Sequence, residues 1–155
     1  MKPIAALGAL LCILGAGRKA SAQPSAPYSA VEVDRFVADR NVAFPPHEQS
    51  ALVDDIAREV SLIFEAVIIL RQGDAAPSGQ AVLRISGTVV QSKPENRTKR
   101  SLLGFGGGAV VEALVNFSDA STGRVLLSRE INGGSGSLAK KIAKLCNSAQ
   151  LVASN

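Results

Sequence analysis

The chain has no tryptophan, one tyrosine (Tyr28) and one histidine (His47), and aromatic residues make up 4% of it. Bases and sugars are commonly held by stacking on aromatic rings, so this composition argues against a nucleic-acid groove or a carbohydrate platform. A lone histidine leaves a Ser-His-Asp hydrolase or a histidine-based metal centre hanging on one residue, and His47 follows Pro45-Pro46 in a connector. Cysteine is almost as scarce, with Cys12 and Cys146 as the two. No run of about 20 apolar residues exists, so no segment reads as a membrane-spanning helix.

The apolar run that is present lies at the start. Lys2, the stretch from Ile4 to Gly17 and the small-x-small triplet Ala20-Ser21-Ala22 read as a secretory leader over residues 1–22, cleaved before Gln23. Leu11 stands just before Cys12, where a lipidation signal normally has a small residue, so a cleaved protein of the periplasm or exterior is expected and lipidation at Cys12 is not. Cleavage leaves Cys146 without an intramolecular partner, and its place at the margin of an apolar helix face predicts a buried, inert thiol. The leader also accounts for most of the net charge of +4. It holds Lys2, Arg18 and Lys19 of the 17 basic residues and none of the 13 acids, leaving 14 against 13. A polyanion partner is therefore not implied.

Residues 23–29, with Pro24 and Pro27, read as a flexible lead-in. Val31, Val33 and Val37 alternate with Glu32 and Asp34 as a half-buried strand, with Arg35 breaking the alternation at a sheet edge. From Glu48 to Phe64, Leu52, Val53, Ile56, Val60, Ile63 and Phe64 recur at helical spacing, opposite Asp54, Asp55, Arg58 and Glu59. Ala66 to Leu70 reads as a short buried strand, and Gln72 to Gly79 as a turn. Two longer alternating runs follow, at Ala81 to Val90 and Ala109 to Phe117, with Val125, Leu127 and Ile131 continuing beyond a further turn. Gly133 to Gly136 reads as a hinge, with Ser137 as N-cap of a last helix whose apolar face is Leu138, Ile142, Leu145, Ala149 and Val152. The expected fold is a single α+β domain over residues 30–155. It has two layers, a mainly antiparallel sheet of about five strands with two helices on one face, in the order strand-helix-strands-helix.

The glycine-rich segment Gly104, Phe105, Gly106, Gly107, Gly108 invites a phosphate-loop reading. A phosphate cradle needs a helix starting at the glycines, and here a period-two run follows, with no Gly-Lys-Ser/Thr. The glycines therefore read as structural. Asp119 to Gly123 reads as a tight turn, with Asp119 accepting backbone N–H groups and Gly123 taking a positive φ. Lys93, Arg97, Lys99 and Arg100, joined by Leu102, Leu103 and Phe105, form the candidate interaction loop, suited to lipid head groups, an anionic glycan or an acidic partner. Asp54, Asp55 and Glu59 are the carboxylates open to a small hydrolase. Asn96-Arg97-Thr98 and Asn116-Phe117-Ser118 match the glycosylation pattern, the second inside a strand. No catalytic constellation, cofactor site or metal site is read from the residues.

The segment Gly104 to Gly108, the strand after it and Asp119-Ala120-Ser121-Thr122-Gly123-Arg124-Val125-Leu126 resemble the bacterial domain-of-unknown-function family numbered forty-four ten. That resemblance spans Ala30 to about Val152 and is most specific from Leu103 to Glu130. It implies a small exported protein, often a lipoprotein, with no reaction to carry over. The layout is also similar to envelope proteins of the curli-secretion and penicillin-binding-protein-activator type, a sheet with packed helices. A non-catalytic binding, accessory or assembly factor of the envelope is the expectation, with a protein or envelope component as partner. The alternatives are a small-molecule or lipid carrier, which needs an apolar cavity, and a small hydrolase.

Overall fold

The computed structural model describes residues 28–93, 110–149 and 151. Seven elements run in the expected order: β1 (Ala30–Ala38), α1 (Pro46–Ile63), β2 (Ile68–Arg71), β3 (Val82–Lys93), β4 (Val110–Asp119), β5 (Val125–Gly134) and α2 (Ser135–Ser148). The strands form one mixed sheet in the order β2-β1-β3-β4-β5. β1 runs parallel to both β2 and β3, whereas β3, β4 and β5 form an antiparallel meander. Both helices pack on one face, with α1 over β1 and α2 over β4 and β5, and they touch each other along their length.

Alternation decides which side chains enter the core. Leu83, Ile85 and Val89 of β3 and Val111, Ala113, Val115 and Phe117 of β4 point to the helix layer and are buried. Leu52, Ile56 and Val60 of α1 and Leu138, Ile142 and Cys146 of α2 close over them. The opposite face of the sheet stays open to solvent over most of its area. Pro46 starts α1, where its missing N–H is no loss.

Several sequence expectations are corrected. β1 is not an edge: it has a strand on each side, and the edges are β2 and β5. Arg35 breaks the alternation because the β1–β3 register shifts between Val33 and Phe36. The shift reverses the phase, so Phe36 is fully buried and Val37, expected inside, is 54% exposed. β2 is an edge strand with Leu70 buried and Ile68 exposed, because the sheet ends there. No glycine hinge separates β5 from α2. Gly133 and Gly134 still pair with Val111 and Val110, and the helix begins at Ser135 with no side-chain cap, which puts Ser137 inside it. The buried arc of α2 is turned toward α1, so Ala139, Ala143 and Cys146 are buried where Leu145 and Ala149 were expected to share the core face.

The lead-in is also shorter than 23–29. Tyr28 is buried, its N–H donates to the Leu151 carbonyl at 3.1 Å, and the Ser29 carbonyl accepts from Ile68 N–H at 3.3 Å. These bonds join the two ends of the domain. Inside, Phe36 lies on Gly87, where a Cβ would meet its Cδ1 at 2.7 Å. This glycine is dictated by a close approach, since its backbone is ordinary extended strand.

Candidate functional site

The expected turn is present and tightly bonded. Asp119 N–H donates to the Arg124 carbonyl at 2.9 Å, the Asp119 carbonyl accepts from Gly123 N–H at 2.8 Å, and Gly123 has φ of 71°. Asp119 Oδ1 accepts from the Ser121 hydroxyl (2.6 Å) and amide (3.0 Å) and from the Thr122 amide (2.8 Å) and hydroxyl (3.0 Å). Its Oδ2 accepts from the Tyr28 hydroxyl at 2.9 Å. The Ser121 hydroxyl first, then the Thr122 amide, hold this carboxyl well below the ordinary range. The residue organises the turn and ties it to Tyr28.

Of the candidate loop, Lys93 is at the exposed end of β3, opposite Val110. Arg97, Lys99, Arg100, Leu102, Leu103, Phe105 and the glycines 104, 106, 107 and 108 lie outside the described residues. The hydrolase candidates are not brought together. His47 is exposed in the first turn of α1, and the carboxylates of that helix pair with arginines. Asp55 meets Arg58 at 2.8 Å, with Glu59 at 3.9 Å from the same guanidinium, and Asp54 meets Arg71 of β2 at 2.7 Å. Burial pushes the Cys146 thiol up to about 12, which keeps it protonated and inert, as its apolar surroundings require.

Among the clefts on the described surface, three are well defined. One of about 450 Å³ lies where the carboxyl ends of β1 and β2 meet the start of α1, lined by Asp34, Arg35, Gln49, Asp54, Arg71 and Gln72. Within it Asp54 pairs with Arg71, and the Arg35 guanidinium donates to the Gln72 side-chain oxygen at 3.4 Å. A second, of about 500 Å³, lies on the open sheet face beside the 72–80 turn. Its ion pair, Glu32 to Arg84 at 2.9 Å, links directly opposed residues of β1 and β3. The third, of about 380 Å³, runs between β5 and α2 over an apolar floor of Ile131 and Leu145, with Arg129, Glu130, Lys141 and Lys144 around it. Lys141 Nζ donates to the Asn132 carbonyl at 2.6 Å and so covers part of the β5 edge.

One feature escaped sequence reasoning. Glu112 of β4 and Glu130 of β5 stand diagonally on the open face and hydrogen-bond to each other, which raises the Glu112 carboxyl above its ordinary value, with Lys93 opposing. The signal was available in the Asp119–Gly123 turn, which sets the β4–β5 register and places both acids on one face.

The whole is a small α+β domain in which a parallel β-α-β unit continues into an antiparallel meander closed by a second helix. PelC of Paraburkholderia phytofirmans, solved as a dodecamer, has a similar fold, with a TM-score of 0.50 and 18% identity over 83% of this chain and 89% of that one. A DUF330-family protein of Xanthomonas campestris aligns with a TM-score of 0.42 at 15% identity, over 83% of this chain and 84% of that one. The lipoprotein GNA1162 of Neisseria meningitidis aligns with a TM-score of 0.41 at 13% identity, over 78% of this chain and 96% of that one. At such identities the likeness is one of fold. No protein-family model matches the chain, and no curated protein matches it significantly. Among the described residues no helix is long and apolar enough to cross a membrane.

Proposed function

We propose that this protein is exported and acts in the bacterial cell envelope by binding, as an accessory or assembly factor with no catalytic step of its own. The observation that carries the reading is how the reactive groups are disposed. The α1 carboxylates Asp54, Asp55 and Glu59 are engaged by arginines, His47 stands exposed outside the described clefts, and the Cys146 thiol is buried. Groups in this arrangement hold a surface in shape and do not combine as nucleophile, base and oxyanion donor. The leader-like residues 1–22 and the resemblance to family forty-four ten support export. A lipid carrier is less well supported, because Phe36, Phe117, Leu52 and Ile142 fill the space between sheet and helices.

The test is to express the full chain with a C-terminal tag in the bacterium it comes from, fractionate the cells, sequence the mature N-terminus and photocrosslink from Lys93. The expected result is an envelope-fraction product beginning at Gln23 and crosslinked to an envelope component. A cytoplasmic product with its leader intact, or crosslinking that returns no envelope component, overturns the proposal.

A further inference from the structure

β5 is hydrogen-bonded to β4 on one side and has no strand on the other among the described residues. Two carbonyls show which backbone groups face that free side. The Asn132 oxygen accepts from Lys141 Nζ at 2.6 Å, and the Ser128 oxygen lies 3.4 Å from the Arg129 guanidinium. The N–H and C=O of successive strand residues turn to opposite sides. Glu130, midway between Ser128 and Asn132, therefore turns its own N–H and C=O outward with theirs. This stretch of edge is a row of pairing groups, and two of its carbonyls are covered only by cationic side chains.

Beside the edge, on the helix side, runs the groove of about 380 Å³ with Ile131 and Leu145 as its floor. Arg129, Lys141 and Lys144 surround it, and among the described residues none of these three cations forms an ion pair with a carboxylate. Glu130 also borders the groove, and its carboxyl is hydrogen-bonded to that of Glu112 on β4. α2 contributes no acid. Three cations thus stand against one carboxylate that is already engaged, so the groove is positive around an apolar floor.

We propose that β5 and this groove together take an extended acidic segment of a partner protein, which adds to the sheet as a strand beside β5. Side chains of an extended segment alternate, so every second one faces the groove. The segment that fits lays an apolar side chain over Ile131 and Leu145 and carries a carboxylate two residues to either side. Those carboxylates meet Arg129 at one end of the floor, and Lys141 and Lys144 at the other. The segment's N–H groups take over the Ser128 and Asn132 carbonyls, which releases Arg129 and Lys141 to pair with the acids. A lipid head group meets the same cations and leaves the edge unpaired, which is why the outward backbone groups argue for a peptide. This inference deepens the reading of the protein as a binding factor and rests on it for the claim that a partner is held; the cellular compartment does not enter.

The probe is a fluorescein-labelled synthetic peptide, Thr-Glu-Thr-Leu-Thr-Glu-Thr, titrated with the full-chain product purified from a Gram-negative host and read by fluorescence anisotropy. Saturable binding is expected, about tenfold weaker when Gln replaces both Glu, and lost when the peptide's backbone amides are N-methylated. Arg129→Glu and Lys144→Glu are each expected to weaken binding about tenfold, and the chain carrying both to prefer Thr-Lys-Thr-Leu-Thr-Lys-Thr. Both positions are exposed, and circular dichroism melts verify the fold of each variant. Should Arg129→Glu fail to fold, Arg129→Gln reads the same contact. With peptide bound, the Glu130 amide is expected to exchange with deuterium about tenfold more slowly by NMR. No binding up to about 1 mM overturns the proposal. So do equal binding of the N-methylated peptide, variants that bind like wild type, or unchanged exchange at Glu130. Sedimentation with phosphatidylglycerol vesicles that Lys144→Glu abolishes, with the peptide inert, overturns it in favour of a membrane surface. Failure of the peptide leaves the envelope reading to its own fractionation and crosslinking, and a cytoplasmic product leaves the peptide groove standing.

Discussion

Asp119 holds the β4–β5 turn through Oδ1 and the N-terminus of the domain through Oδ2. Asp119→Ala removes both, and we expect a loss of about 1–2 kcal/mol at neutral pH in denaturant unfolding. The sign with pH follows from the lowered folded-state value. A depressed carboxyl contributes its full stability above the unfolded value near about 3.9, and that contribution is lost progressively as pH falls from there through the lower folded value. The gap between wild type and Asp119→Ala should therefore narrow below about pH 4; a gap that stays constant in acid refutes the assignment. Gly87 is a different kind of constraint. Gly87→Ala drives a methyl into the Phe36 ring and is expected to cost about 1–3 kcal/mol, part of which Phe36→Leu should restore. An Ala variant as stable as wild type contradicts the close packing. The turn chemistry of Asp119 was legible because an aspartate, two hydroxyl residues and a glycine solve a local problem. The demand for Gly87 was not, since it is set by a ring on another strand.

At the scale of elements, periodicity placed all five strands and both helices, and the errors about which side chains are buried share one cause. Val37, Leu145 and Ala149 were assigned to the core by extending a perfect period, and a bulge in β1 and the approach of α1 to α2 rotated the buried set. The same rotation sets Cys146 fully inside, where its thiol is pushed up to about 12. We expect no reaction with a thiol reagent in the native state at neutral pH and full reaction on unfolding; rapid native labelling contradicts this packing.

At the scale of the molecule, charge is divided by element. The side chains of α2 bring Lys140, Lys141 and Lys144 and no acid, and the open face beside β5 brings Glu112 and Glu130. The amino-acid sequence by itself determined the class of fold, the element order and the turn at Asp119, because each depends on residues near one another in the chain. Tertiary structure alone decided that β1 is internal and β2 and β5 are edges. It also decided that Glu112 of β4 meets Glu130 of β5, with Lys93 opposing. Those facts depend on which distant segments hydrogen-bond side by side, and no local pattern encodes that choice.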